Sequence, residues 1–172
     1  MAQTAILPAK YLSRCITGGF PDFWKPAFPF GWYTVHMYTA KPYVKKILKP
    51  WGFELKYTTE DAPYCGKIMH VSAGGRWSVH YHEEKKETLC LVSGEAEIWL
   101  HDGVEIQKFM MESEVGYYIT PGQTHRVIAI TDCILIEASE PEHGLTIRVE
   151  DDNNRPNEDD ALRKDQNRGW YT

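Results

Sequence analysis

The sequence predicts an all-β domain, a barrel or jelly roll built from short strands. Two observations carry this. Short apolar and β-branched runs recur from residue 55 to residue 149, each closed by Gly, Pro or Asp-Gly turn signals. Within residues 74–94, two glycines lead into a short alternating run, a polar turn follows, and a second apolar run ends at Gly94. That is a strand–turn–strand unit.

Taken in order, Lys49-Pro50-Trp51-Gly52-Phe53-Glu54 leads into a first strand at 55–57, and residues 65–72 form the next, bounded by Pro63 and Gly74. Residues 77–82 and 88–92 follow. Residues 95–100 alternate as a half-buried strand closed by His101-Asp102-Gly103, and 104–111 is the next. Further strands are expected at 117–120, 127–130 and 133–138, and a last one at 145–149 returns to the sheet. No internal repeat is visible.

The flanks differ in character. Residues 1–48 form an irregular arm that alternates aromatics with Pro and Gly, as in Phe20-Pro21-Asp22-Phe23-Trp24-Lys25-Pro26. Prolines this dense forbid a regular helix or central strand. Aromatic surface favours a covered position, so the arm is expected to lie across the barrel or a partner subunit; a mobile binding lid is the other reading. The barrel is assigned to residues 49–150. Residues 151–172 read as a polar, acidic surface tail with a short helical segment at 161–165, and Trp170 and Tyr171 are candidate anchors for its end.

With 24 acidic and 19 basic residues, the formal charge of −5 argues against a nucleic-acid partner. The four cysteines, Cys15, Cys65, Cys90 and Cys133, lack metal or redox spacing, and Cys90 and Cys133 sit in apolar runs as buried thiols. No signal-peptide core and no membrane-spanning run is evident, which makes a cytoplasmic protein the default.

Chemistry concentrates in two places. On a strand at 77–82, Ser78, His80 and His82 share one face. If Glu87 pairs beside them across the turn, as a hairpin neighbour, two imidazoles and one carboxylate converge. A Pro121-Gly122 turn then precedes His125, which that turn can aim back at the same interior. Three neutral imidazoles and one carboxylate suit a divalent Mn, Fe, Ni or Zn ion, and suit Ca or Mg poorly. An octahedral ion so held keeps two positions open.

At these residues the chain resembles the cupins. Residues 74–94 match the first cupin motif, with Gly, His-x-His, a Glu after four residues and a Gly after six more. Residues 116–125 match the second at slightly contracted spacing. The resemblance implies a cupin-type double-stranded β-helix, that is, a jelly-roll barrel. Within the cupins, the segment from Lys49 to Glu54, Ser78, Val92-Ser93-Gly94, the Pro121 to Arg126 turn, Ile136-Glu137 and the string from Ile147 to Asp152 resemble the mannose-6-phosphate isomerase (type II) branch. That branch usually carries Gln at the place of His80, and a His-rich run with an Arg where this chain has Glu83-Glu84-Lys85.

The resemblance implies an aldose–ketose isomerase acting on a sugar or sugar phosphate. A general base would move a proton between two carbons beside the metal, and Lys67, Glu97 and Glu137 are the strand residues able to face inward. Each could equally stand on a solvated face. Arg126 and Arg148 are candidates for a substrate phosphate or hydroxyl, or for ion pairs. An Fe(II)-dependent dioxygenase and a non-catalytic metal- or sugar-binding module are the alternatives. A small-molecule substrate and a homodimer are expected, with no membrane partner.

Overall fold

Side chains that alternate along a strand can bury only one face, so these short strands must be layered. The computed structural model of the chain describes residues 42–165, 168 and 170. The elements are β1 (Lys45–Lys49), β2 (Gly52–Lys56), β3 (Cys65–Val71), β4 (Val79–His82), β5 (Glu87–Ser93), β6 (Ala96–His101), β7 (Ile106–Met110), β8 (Gly116–Ile119), β9 (His125–Ala129), β10 (Cys133–Ser139) and β11 (Thr146–Glu150). A short 3-10 helix, Leu162–Lys164, lies within the segment expected to be helical. The class is all-β, as the sequence predicts.

One sheet has the order β1-β2-β3-β10-β5-β8 and the other β11-β4-β9-β6-β7, with antiparallel pairing throughout. Met69, Leu89, Leu91, Ile119 and Leu135 point inward from the first sheet. Ala96, Ile98, Val127 and Ala129 point inward from the second, and all of these share one apolar cluster. Trp51 and Trp77 join it with ring centroids 5.4 Å apart. Gly94, which ends the first motif, fits for two reasons. Its φ is +90°, and a Cβ there would sit 2.4 Å from the carbonyl oxygen of Asp132.

Two segments differ from the sequence expectation. Residues 45–49, most of them within the expected arm, form β1 and pair with β2. Its lysines and flanking prolines hide it from a hydrophobicity reading, because an edge strand carries such residues as protection. Its buried positions are Ile47 and Lys49. The arm's aromatic stretch lies outside the described residues, as does Tyr171.

The segment after β11 is docked by ion pairs, although its composition reads as a solvated tail. Arg155 meets Asp151 at 2.6 Å. Residue 158 bridges residue 146 through paired backbone hydrogen bonds of 2.9 and 3.0 Å. The Glu158 carboxylate takes Arg148 and Arg168 at 3.0 Å each and Arg163 at 3.4 Å. Polar residues dock here because each buried charge finds an opposite one.

Burial alone would raise the Glu158 carboxyl, but Lys49, Arg168 and Arg148 outweigh it and hold the group at about 2. The folded value lies below the unfolded value near 4.3, so this stabilisation is present above pH ~4.3 and is lost as pH falls through about 2. It amounts to at most about 3 kcal/mol. Glu158→Gln should therefore destabilise the domain at pH 7, with the deficit shrinking as pH falls toward 2. Denaturant unfolding of both proteins across that range checks this, and parallel stability curves would contradict it.

Candidate metal centre

The strand period places Ser78, His80 and His82 on one face, and sheet pairing brings the remaining groups to them. His80 stands opposite His125 on β9, and His82 stands opposite Thr146 on β11. The ring of His80 lies 4.2 Å from that of His125 and 5.1 Å from that of His82. One nitrogen of each imidazole falls within 4.8 Å of the others. Glu87 arrives from the opposite sheet. β4 and β5 do not pair, and the polar turn 83–86 crosses between the sheets. Glu87 Oε1 then lies 2.9 Å from His125 Nε2 and 3.6 Å from His82 Nε2.

The turn before His125 is held in place. Gly122, at φ +76°, donates its N–H to the carbonyl of His82 at 2.8 Å. Gln123 Nε2 donates to the carbonyl of His101 at 2.9 Å. The Pro-Gly turn is thus stitched to the strand that carries the other two histidines.

Every ring is oriented through its other nitrogen. His80 Nδ1 is 3.0 Å from the carbonyl of Ser78, and His125 Nδ1 is 3.0 Å from that of Gln123. A carbonyl only accepts, so both protons sit on Nδ1 and both Nε2 lone pairs point inward. His82 Nδ1 meets Thr146 Oγ1 at 2.9 Å. Among the described residues, His125 Nε2 is buried without a well-directed hydrogen bond, and its lone pair faces a carboxylate oxygen. Two acceptors set face to face favour a cation between them.

Electrostatics prepares the same donor set. Burial, reinforced by His125 and His82, keeps His80 well below the ordinary histidine value. Burial, together with Lys85, also lowers His82. Burial would raise the Glu87 carboxyl, yet the Lys85 ammonium outweighs it and holds the group well below the carboxylate range. Neutral imidazoles beside an ionised carboxylate are the form that binds a metal. The residues fit a divalent ion of the Mn, Fe, Ni or Zn kind, held by His80, His82 and His125 with Glu87 alongside.

The other predicted residues divide. Lys67 and Glu137 line the same narrow cavity of about 60 Å³. They contact each other at 3.3 Å, and Lys67 also binds Glu142. Glu97 and Arg126 are not brought there. Glu97 shares the outward face of β6 with Trp99, whose Nε1 donates to it, while Ile98 between them is in the core. Arg126 follows His125 and so points to the opposite face. It is fully buried there, pairing with Glu150 at 3.2 Å and Asp152 at 3.4 Å, with Trp99 beside it. Arg126 is an ion-pair partner, which the sequence left open. Arg148 does line the cavity.

Sequence reasoning missed Lys49, Glu54, Lys85 and Glu142, all of which face this cavity. Lys49 and Glu54 close a motif that was visible, and they pair at 3.0 Å. Lys85 sat unmarked among turn charges, and nothing local singles it out.

Comparisons with known proteins agree with the fold. A family model described as mannose-6-phosphate isomerase C-terminal matches residues 37–158. No significant match is found among curated proteins. The capsular polysaccharide assembling protein CapF from Staphylococcus aureus superposes with a TM-score of 0.55 at 18% identity, over 69% of this chain and 34% of that one. Oxalate decarboxylase from Bacillus subtilis superposes with a TM-score of 0.56 at 13% identity, over 66% of this chain and 33% of that one. The chain therefore spans about a third of the length of these structures, and at such identities the likeness is one of fold.

Removing the Thr146 hydroxyl should free the His82 ring. Thr146→Val is expected to weaken Zn(II) or Mn(II) binding about 10-fold or more in a chelator competition titration. Unchanged affinity would show that His82 needs no such support.

Proposed function

The chain belongs to the mannose-6-phosphate isomerase C-terminal family of cupins, and on that premise we propose that it is a metal-dependent aldose–ketose isomerase acting on a sugar or sugar phosphate. The observation that carries the reading is the convergence of His80, His82 and Glu87 in the cavity that also holds Glu137 and Lys67, with His125 against Glu87 behind them. A bound divalent ion would supply Lewis-acid stabilisation of the negative charge that develops on a carbonyl oxygen.

The chain's own residues divide the remaining work. Burial would lower Lys67, but Glu137, Glu142 and Glu54 overcome it and raise its pKa well above the usual lysine value. Lys67 thus stays an ammonium at neutral pH, which excludes it as the base. Glu137 is the predicted carboxylate that reaches the cavity, and it takes the role of moving a proton between the two carbons of an open-chain sugar. Lys67 and Lys85, at 3.3 and 2.7 Å from its two oxygens, keep it in place. Arg148 borders the same cavity and contributes to holding hydroxyls or a phosphate; among the described residues its Nε has no hydrogen-bond partner. The reading includes a cytoplasmic homodimer with a small-molecule substrate.

The test is solvent deuterium exchange into mannose, fructose and their 6-phosphates, followed by NMR with Mn(II)- or Zn(II)-loaded protein. Deuterium should enter at C1 or C2, and Glu137→Gln should slow it by ~10²–10⁴-fold. No exchange with any ion would overturn the isomerase reading, and oxygen uptake with Fe(II) would replace it with the dioxygenase one.

A further inference from the structure

The turn between β4 and β5 carries Glu83, Glu84, Lys85 and Lys86. Three of these are exposed, while Lys85 is turned inward and is 2% exposed. Burying an ammonium requires compensation on all sides. Lys85 finds it in two carboxylates, Glu87 Oε2 at 2.5 Å and Glu137 Oε1 at 2.7 Å. Glu137 Oε2 continues to Lys67 at 3.3 Å. An alternating chain of buried charges, Lys67–Glu137–Lys85–Glu87, thus runs across three adjacent strands and the turn to the histidine cluster.

The backbone fixes the turn on both sides of Lys85. Glu83 donates its N–H to the carbonyl of Leu145 at 3.0 Å. Lys86 donates its N–H to the Glu140 carboxylate at 3.0 Å, and Glu140 returns a backbone hydrogen bond to Lys86, also at 3.0 Å. The inward direction of Lys85 is therefore built in.

We infer that Lys85 is a positioning residue that clamps one oxygen of Glu87 and leaves the other, Oε1, as the one offered to a metal. Oε1 faces His125 and His82, whereas Oε2 is committed to the ammonium. Glu137 anchors Lys85 in turn, and this couples the proposed base to the ligand carboxylate through a single side chain. The inference rests on the metal-centre reading above but is independent of the reaction catalysed.

Two effects of Lys85 on a bound cation oppose each other, so the sign of a mutational change separates them. As a nearby positive charge, Lys85 repels a divalent ion, and its removal would tighten binding. As a clamp it fixes the carboxylate, and its removal loosens binding by about 10–100-fold.

The experiment measures the Mn(II) dissociation constant and the EPR spectrum of bound Mn(II) for wild type, Lys85→Met and Lys85→Arg. Melting in chelator serves as a fold control. Lys85→Met should bind about 10–100-fold more weakly with an altered spectrum, and Lys85→Arg should recover most of the affinity. Should Lys85→Met fail to fold, Glu137→Gln, which releases Lys85 from its anchor, should weaken Mn(II) binding in the same direction. Unchanged or tighter binding in the folded variants would overturn the clamp alone. Wild-type protein that takes up no Mn(II) would overturn the metal centre and the clamp with it.

Discussion

A carboxylate buried at 3% exposure between two sheets needs partners on both, and Glu87 has them. One oxygen faces the imidazoles of His125 and His82 from the five-stranded sheet. The other faces Lys85, which is joined to Glu137 on the six-stranded sheet. Without the ammonium, burial would favour a neutral acid and the imidazoles would lose their ionised neighbour. Without the imidazoles, a buried ion pair would sit at the end of a sheet with no reason to be there. The site exists because each group makes burial of the next tolerable.

That dependence spreads through half of the interior. One half between the sheets is conventional core, in which Leu89, Ile98, Val127 and Leu135 are fully buried. The other half is ionic. Lys49 pairs with Glu54, Lys67 with Glu137 and Glu142, and Arg168 with Glu142 and Glu158. Buried pairs seldom add stability over well-packed apolar residues, since desolvation offsets most of the attraction. Breaking one partner, by contrast, leaves an uncompensated charge and costs about 3–5 kcal/mol. A cavity lined this way adds little stability for the charges it buries. The segment beyond β11 supplies Arg155, Glu158 and Arg168 to it, so the cavity wall is completed by a segment that composition alone would place in water.

The legible parts of the sequence were those governed by short-range rules. Period-2 spacing put His80 and His82 on one face, and the Pro121-Gly122 turn announced His125, so the three clustered histidines could be named before any coordinates. Strand positions followed for the same reason. Glu87 was legible as a residue, but its placement was not. The sequence suggests a hairpin neighbour, whereas the turn actually carries Glu87 across to the opposite sheet. Face assignment failed for Glu97, because alternation fixes which residues share a face and leaves open which face is inward. The same alternation sets Arg126 on the face opposite His125. Lys85, Glu142 and Glu158 were illegible because each is a charged residue in a turn or polar segment. Their burial depends in large part on distant partners, such as Arg148 for Glu158, 10 residues away, and Lys67 for Glu142, 75 residues away.

On the reading proposed above, His80, His82, His125 and Glu87 hold a transition ion. Elemental analysis of the purified protein, for wild type and His82→Ala side by side, tests it most directly. Close to one Mn, Fe, Ni or Zn ion per wild-type chain is expected, with a near-complete loss in the variant. A wild-type chain without metal, which also takes up none of these ions when they are supplied, would contradict it and leave the histidines as direct ligand contacts.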